Sequence, residues 1–181
     1  MESEQAGPAV DDPTLPRLRF DGHQASAAGE AWGCNCGPAA IAAACSVELA
    51  EMAGYCRSLQ WPGYTNPTMG CALLKSLGVR WGKARGLWPG RGVARIQWMG
   101  PWMDPGVPAG ARYQRTHWVA ACWVGRRRAV FDVNHFGLFG RGWVWQNLWE
   151  QVTVPAILEG IRRADGGWMV THGYEIGGRG G

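Results

Sequence analysis

A cysteine at the start of a helix of small residues is the strongest chemical signal in this sequence. Cys36 precedes Gly37, Pro38 and a run of Ala and Ile, which predicts a short buried helix with the proline in its first turn. A helix N-terminus carries unpaired N–H groups and about half a positive charge, and both favour thiolate over thiol. We therefore expect Cys36 to be a nucleophile. Asn35 and Gly37 would support it, because backbone N–H groups there can bind an oxyanion.

A thiol nucleophile needs a general base, and His117 is the best candidate among the four histidines. It opens an apolar run, residues 117–124, that is typical of a strand. A titratable ring would thus be fixed at the rim of a hydrophobic sheet. His23 falls in a segment that we expect to be loose, while His135 and His172 are more simply explained as structural histidines.

The third catalytic residue follows from the register of a predicted hairpin. Residues 125–126 suit a two-residue type II′ turn, because glycine takes the first central position. In that register His117 lies opposite Asn134, and Asp132 lies diagonally on the same face. A carboxylate there would orient the imidazole, so we prefer Asp132 to Asn134 for this role. A shift of the turn by one residue would move both candidates to the other face.

These three motifs resemble those of papain-like cysteine peptidases, especially the bacteriocin-processing branch. The segments that carry the resemblance are residues 35–40, 116–119 and 131–134. The resemblance implies an α+β fold in which N-terminal helices, with the nucleophile at a helix start, pack on an antiparallel sheet that carries His117 and Asp132. It also implies a Cys-His-Asp hydrolase that cuts a peptide or other amide bond through an acyl-enzyme intermediate.

The sequence departs from that family at the oxyanion hole. Family members carry a Gln a few residues before the cysteine, whereas this chain has Glu30 and Trp32 in that region. Gln24 is the nearest Gln upstream, and it would complete the oxyanion hole if the chain loops back. Otherwise the hole relies on backbone N–H groups, and catalysis would be slow, specialised or absent. Most of the twelve tryptophans should be core residues, but Trp32 and Trp118 adjoin the candidate site and are predicted to contact substrate.

The order of secondary-structure signals separates helices from strands. The first half of the chain predicts three helices, and the second half predicts short strands between Gly and Pro residues. The predicted helices begin at Gly37, after a Ser46 cap, and after an Asn66 cap. The predicted strands are 79–81, 93–98, 118–124, 128–133 and 168–176, with a loop at 99–112 and broken helix at 143–159.

Length and composition favour one globular domain. Of the 181 residues, 46% are hydrophobic and 18% are charged, which is typical of a folded protein with a core. Residues 1–30 contain several Pro without apolar periodicity and predict a loose arm. We therefore expect a single domain at 31–176 and a flexible Gly-rich tail at 177–181.

Charge and cysteine spacing restrict the partners. The net charge of +4 comes from scattered arginines without a basic stripe, which argues against nucleic-acid binding. No stretch reaches about 18 apolar residues and no signal peptide is evident, so we expect no membrane contact and a cytoplasmic location. Cys34 and Cys36 are closer than a usual zinc-binding pair, and no second pair follows, so no metal or other cofactor is expected. The expected partner is a peptide or protein substrate; the oligomeric state is left open.

Two other functions remain open from the sequence alone. One is a catalytically weak or inactive module with the same fold, of a kind that phages encode, which binds or inhibits a partner through a Trp-rich surface. The other is a peptidoglycan amidase or endopeptidase.

Overall fold

The structure, a computed structural model, describes residues 9–33, 35–58, 60 and 62–179, with backbone alone at 178 and 179. It is an α+β arrangement of short helices and one antiparallel sheet. The helices are α1 Gly22–Trp32, α2 Cys36–Cys45, α3 Leu49–Ser58, α4 Pro67–Ser76, α5 Ala109–Arg112, α6 Val133–Phe139, α7 Gln146–Leu148 and α8 Val154–Glu159. The strands are β1 Val79–Lys83, β2 Arg91–Trp98, β3 Thr116–Val124, β4 Arg127–Phe131, β5 Trp143–Trp145 and β6 Trp168–Arg179. A 3₁₀ turn, Pro101–Met103, lies in the predicted loop, and a π-helical turn, Trp149–Thr153, joins α7 to α8.

The six strands lie in the order β1-β6-β2-β3-β4-β5, and all neighbouring pairs are antiparallel. Val124 pairs with Arg127, so the register predicted for the hairpin is confirmed. Gly125 has φ 59°, as the first central position of a type II′ turn requires. The ladder between β3 and β4 runs only as far as Ala120 and Phe131.

Side chains along each strand alternate between the two faces of the sheet, so the core forms two clusters, one on each face. The helical cluster packs α2 against β2 and β3 and includes Trp118, Ala120 and Phe131. Small residues allow the close approach, because the six residues 39–44 of α2 are almost completely buried. The opposite cluster includes Val119 and Trp149 from β3 and the π-helical turn. Neighbouring residues of β3 therefore face different environments.

The predicted caps are confirmed in part. Asn66 caps α4, because its Oδ1 accepts a hydrogen bond from the Met69 N–H at 2.9 Å, and Pro67 occupies the first turn. Ser46 does not cap α3. It ends α2 in the left-handed region with φ 54°, and its N–H donates to the carbonyl groups of Ala42 and Ala43.

The prediction of a loose arm over residues 1–30 is wrong where the structure describes the chain. Asp21 and Gln24 form a reciprocal capping box that begins α1, and Phe20 is buried. Further upstream, Val10 N–H donates to the carbonyl of Trp143, whose indole donates to the carbonyl of Pro16. Capping and aromatic burial thus order a segment that lacks apolar periodicity. Residues 1–8 lie outside the described part.

The flexible tail predicted at 177–181 is also corrected. β6 continues to Arg179, and Val79 pairs with that residue, because β1 offers an edge with which the glycine-rich segment can pair. Residues 180–181 are outside the described range. Across the described residues, no helix has both the length and the apolar character needed to cross a bilayer.

Candidate active site

Cys36 is the first residue of α2 and is 9% exposed. Asn35 occupies the N-cap position, but its side chain makes no capping bond. The Asn35 amide instead donates to the carbonyl of Ala25 at 2.6 Å, which ties the start of α2 to α1. The N-cap side chain thus does not take the N–H groups of the first turn of α2. This arrangement supports the position of Cys36 through α1 and agrees with the supporting role predicted for Asn35.

Gly37 is required sterically beside Cys36. A Cβ at this position would lie 2.6 Å from both Cβ and Cγ2 of Thr65 and closer still to its hydroxyl. Real Cβ atoms essentially never approach other atoms so closely. The absence of a side chain at Gly37 therefore lets the segment that carries Thr65 pack directly against the N-terminus of α2.

His117 and Asp132 form a buried pair. Nε2 of His117 lies 2.9 Å from Oδ1 of Asp132, and the two residues are 5% and 0% exposed. The same Oδ1 accepts the Asn134 N–H at 2.8 Å, and Oδ2 accepts the indole N–H of Trp149 at 2.8 Å. Both carboxylate oxygens are thus occupied, and the predicted preference for Asp132 over Asn134 as the partner of His117 agrees with this geometry.

The surroundings of Asp132 favour its ionised form. Burial raises the pKa of this carboxyl, but the His117 charge and the hydrogen bonds from His117, Trp149 and Asn134 outweigh burial and hold the pKa below its ordinary value. Asp132 also caps α6 through its bond to Asn134. The residue therefore joins the end of β4, the start of α6 and the histidine.

The His117 ring belongs to the face of the sheet opposite α2. It stacks on Trp98, with ring centroids 5.9 Å apart and planes inclined by 24°. Trp98 belongs to the opposite cluster, as does Val119, two residues along β3. The residues on either side of His117, Thr116 and Trp118, line a cavity that also contains Cys36. His117 itself is not among the residues that line this cavity, and its ring packs on Trp98 of the opposite cluster.

The cavity beside Cys36 has a volume of about 620 Å³. Arg95 of β2 lies in its wall and is only 6% exposed. Trp118, predicted to contact substrate, is also in the wall, and its indole N–H donates to the Thr65 carbonyl at 2.9 Å. The remaining lining residues are Tyr64, Thr65, Asn66, Gly110, Tyr113, Gln114 and Thr116.

Arg95 is the site residue that the sequence did not reveal. Its signal is a single charged residue inside the strand Val93–Trp98, where its neighbours are apolar. A charged side chain is almost never fully buried without a partner, so a buried arginine in a strand indicates a candidate functional position.

A second cavity, of about 590 Å³, lies on the other side of the α2 N-terminus. It is formed between α1, α6 and α8, and Asn35 and Asn134 both line it. Asn134 is exposed, so its side chain faces this cavity rather than taking the third catalytic position. The two cavities leave concave surface on both sides of the segment that carries Cys36.

Two predicted roles are not matched by the contacts observed. Gln24 is exposed, and its Oε1 accepts the Asp21 N–H at 2.9 Å within the α1 capping box. The residues of α1 that face Asn35 are Ala25 and Gly29. The oxyanion-hole role predicted for Gln24 is therefore corrected to a capping role. Trp32, predicted to contact substrate, is half-buried against the helical cluster and lines neither of these two cavities.

The remaining buried histidine is structural, as expected. His135 is fully buried, and its Nδ1 lies 2.6 Å from the hydroxyl of Thr153; burial lowers its pKa. In the part of the chain that the structure describes, no group of three or more His, Cys, Asp or Glu side chains could hold a metal ion.

Comparison of the chain with protein-family models, with curated proteins and with solved structures gave no match in any of the three.

Proposed function

We propose that this protein is a cysteine-dependent hydrolase of the papain-like type, with Cys36 as nucleophile, His117 as general base and Asp132 as the residue that orients the base. The observation that carries this function is the buried hydrogen bond between His117 and Asp132, on a strand whose residues Thr116 and Trp118 line a cavity with a cysteine at a helix N-terminus. A buried carboxylate that holds one imidazole nitrogen is what a catalytic histidine needs in order to present the other.

The tautomer of His117 decides which of its ring nitrogens acts as the base. A proton on Nε2 of His117 is donated to Asp132, so Nδ1 is the basic nitrogen. The Cys36 thiol loses its proton to Nδ1, and the thiolate attacks the carbonyl carbon of an amide or ester. The carbon–nitrogen or carbon–oxygen bond breaks, and the leaving group takes that proton. Water then hydrolyses the thioester, which releases the acid and restores the thiol.

Backbone N–H groups at the start of α2 would bind the oxyanion. The Asn35 side chain is turned towards Ala25, so it does not compete for these groups. The N-terminal end of the helix dipole adds a favourable field for the negative oxygen. This arrangement does not depend on a Gln side chain upstream.

The ring of His117 and the Cys36 sulfur can meet where β4 leaves the sheet. The ladder of β3 with β4 ends at Ala120 and Phe131, and the chain turns at Asp132 into α6. β4 therefore no longer flanks β3 at His117. We place the encounter of thiol and imidazole in this gap, between the two cavities that adjoin α2.

Alkylation by iodoacetamide, mapped residue by residue with mass spectrometry, tests the nucleophile. At pH 7.5 Cys36 should react faster than Cys56 and Cys122, because burial raises the pKa of the Cys56 thiol to about 11 and also raises that of Cys122. His117→Ala should slow the reaction of Cys36 by about tenfold or more, whereas His23→Ala, which changes an exposed histidine, should not.

Turnover is then measured with a library of quenched fluorescent peptides, using Cys36→Ser as the inactive control. Cleavage by the wild-type chain and not by the variant is the expected result. If Cys36 reacts no faster in the folded chain than in urea and no peptide is cleaved, the hydrolase must be abandoned.

A binding protein without catalysis is the second candidate, and one observation favours it. Cys36 and His117 are both largely buried, which limits the access of a substrate to them. A chain that fails both tests above but retains the fold would belong to this class.

A further inference from the structure

Arg95 carries a buried charge whose hydrogen bonds are incomplete. Its Nη2 donates to the Tyr113 carbonyl at 3.0 Å and to the Thr116 hydroxyl at 3.3 Å, and Nη1 donates to the Thr171 hydroxyl at 3.4 Å. Its Nε has no hydrogen-bond partner. Two of the three bonds are long, and together they use only three of the five N–H donors of the guanidinium. A charge in this condition is costly unless a further partner joins it.

No carboxylate supplies that partner within the described residues. None of the residues that line the cavity is Asp or Glu, and no ion pair involves Arg95. Burial lowers the pKa of Arg95, and the charges that oppose this effect come from Tyr174, Cys36 and Tyr113. Arg95 therefore lies close enough to Cys36 for their charges to interact, and no carboxylate of the cavity wall neutralises the guanidinium.

The cavity has a second polar atom that lacks a partner. The hydroxyl of Thr65 is buried without a hydrogen bond, next to Gly37 at the start of α2. Arg95 and Thr65 both line a space of about 620 Å³, which is within the usual range for small-ligand sites, and their unpaired atoms are buried in its wall. Buried polar groups left unpaired in a native structure require an explanation, and a bound ligand is the direct one here.

We propose that Arg95 is a specificity residue that binds a carboxylate of the substrate, so that the cavity beside Cys36 selects acidic substrates. This inference rests on the proposed hydrolytic function and names its substrate class. The carboxylate would accept charge-assisted hydrogen bonds from the guanidinium of Arg95 in the cavity wall. Both the side chain of an acidic residue and a C-terminal carboxylate have this chemistry.

A pair of alkylating reagents tests the inference in the wild-type chain. Iodoacetate and iodoacetamide differ in charge at the group that would face Arg95, and each transfers its carbon to sulfur with loss of iodide. The ratio of their rates at Cys36 is measured in the folded chain and divided by the same ratio in urea. We expect this quotient to be about tenfold or more in favour of iodoacetate, as one charge-assisted hydrogen bond provides.

Three variants assign the effect to Arg95. Arg95→Gln should remove the preference for iodoacetate, and Arg95→Lys should retain part of it because it keeps the charge. Arg128→Gln is the matched control, since Arg128 is also partly buried with an unpaired Nε but stacks on Trp88 and Trp123 away from this cavity. If Arg95→Gln fails to fold, the quotient of the wild-type chain and that of Arg95→Lys still show whether Arg95 causes the preference for iodoacetate.

The two sources of a carboxylate are separated by a pair of isomers. N-acetylglutamate α-amide carries its carboxylate on the side chain, and N-acetylglutamine carries it at the C-terminus. Each is tested for protection of Cys36 against iodoacetamide, with neutral N-acetylglutamine amide as the control. Protection of Cys36 by only one acidic isomer would show whether the cavity binds a side-chain or a C-terminal carboxylate. Protection by both would show that it binds either one.

The possible failures are distinguishable. Acid recognition would be overturned, with the hydrolase left intact, by one combination of results. Cys36 would react rapidly with iodoacetamide, show no preference for iodoacetate and be protected equally by all three compounds. Reaction of Cys36 with neither reagent above its rate in urea would remove the proposed function and, with it, this inference.

Discussion

Two buried polar sites, one on each face of the sheet at β3, differ in how far their hydrogen bonds are satisfied. On one face, both oxygens of Asp132 accept hydrogen bonds, from His117, Trp149 and the backbone of Asn134. On the other face, Arg95 and Thr65 keep polar atoms without partners at the wall of a cavity. The two arrangements lie on opposite sides of one strand.

This difference indicates that the two sites have different roles, one in positioning a side chain and the other in binding a ligand. A carboxylate whose acceptors are all used can hold a ring in one orientation but has little capacity left for a ligand. An arginine that lines a cavity without a carboxylate partner is suited to bind one. Substitution of Asp132 should therefore lower stability, whereas substitution of Arg95 or Thr65 should act mainly on ligands.

The largest expected effect comes from Asp132→Ala. This change leaves His117 and the Trp149 indole buried without their acceptor, and it removes the cap of α6. Breaking a buried charged pair costs about 3–5 kcal/mol, so the free energy of unfolding measured in urea should fall by about that amount. Asn134→Ala is the control, because Asn134 contributes only its backbone N–H and is exposed; we expect a change within about 0.5 kcal/mol.

Acid unfolding of the wild-type chain checks the same pair independently. Because the pKa of Asp132 is lower in the folded than in the unfolded chain, its contribution is complete above the ordinary value of 3.8 and is lost as pH falls through the folded value. The fall in stability below about pH 4 should be shallower in Asp132→Asn than in the wild type. Equal slopes would show that Asp132 is not stabilised as a carboxylate.

Gly37→Ala should have the next largest effect. The added methyl group would meet the side chain of Thr65, so α2 and the segment of Thr65 must separate. We expect a loss of about 1–3 kcal/mol in the free energy of unfolding, together with slower alkylation of Cys36. The double change Gly37→Ala with Thr65→Gly, which also removes the Thr65 Cβ, should recover part of the stability.

Gly54→Ala provides the matched control for that substitution. Gly54 is also in a helix, α3, but a Cβ there would meet nothing within 4 Å. Alanine should therefore stabilise α3 by about 0.5–1 kcal/mol through its higher helix propensity. A similar gain for Gly37→Ala would contradict the close packing beside Cys36.

Thr65→Val should have the smallest effect on stability and is the sharpest test of the contrast between the two faces. It removes a buried hydroxyl that has no partner while keeping the shape of the side chain. The free energy of unfolding should stay the same or rise by up to about 1 kcal/mol. Thr153→Val, whose hydroxyl bonds to His135 on the opposite face, should instead lose about 1–2 kcal/mol. Equal losses in both variants would remove the distinction between the faces.

Local signals in the sequence predicted the elements that position the candidate site. Gly37 and Pro38 indicated the start of α2, and the glycine at 125 set the register that brings His117 to Asp132. Both signals act over a few residues, so they can be interpreted without knowledge of the rest of the fold.

Features that depend on distant contacts could not be predicted in this way. The order of residues 9–30 depends on the bonds of Val10 and Pro16 to Trp143, more than 120 positions away. The hydrogen bonds of Arg95 go to Tyr113, Thr116 and Thr171, which come from the end of α5, from β3 and from β6. A single arginine in a strand does not reveal which donors will remain unused.

The position of β6 has a consequence for how this molecule is built. The strand latest in sequence is inserted between β1 and β2, and it supplies Thr171 to the guanidinium of Arg95. Until a ribosome has made residues 168–179, the nascent chain therefore has β2 with one unpaired edge and Arg95 without its Thr171 partner. The surroundings of Arg95 are completed only after Cys36 and His117 have been synthesised.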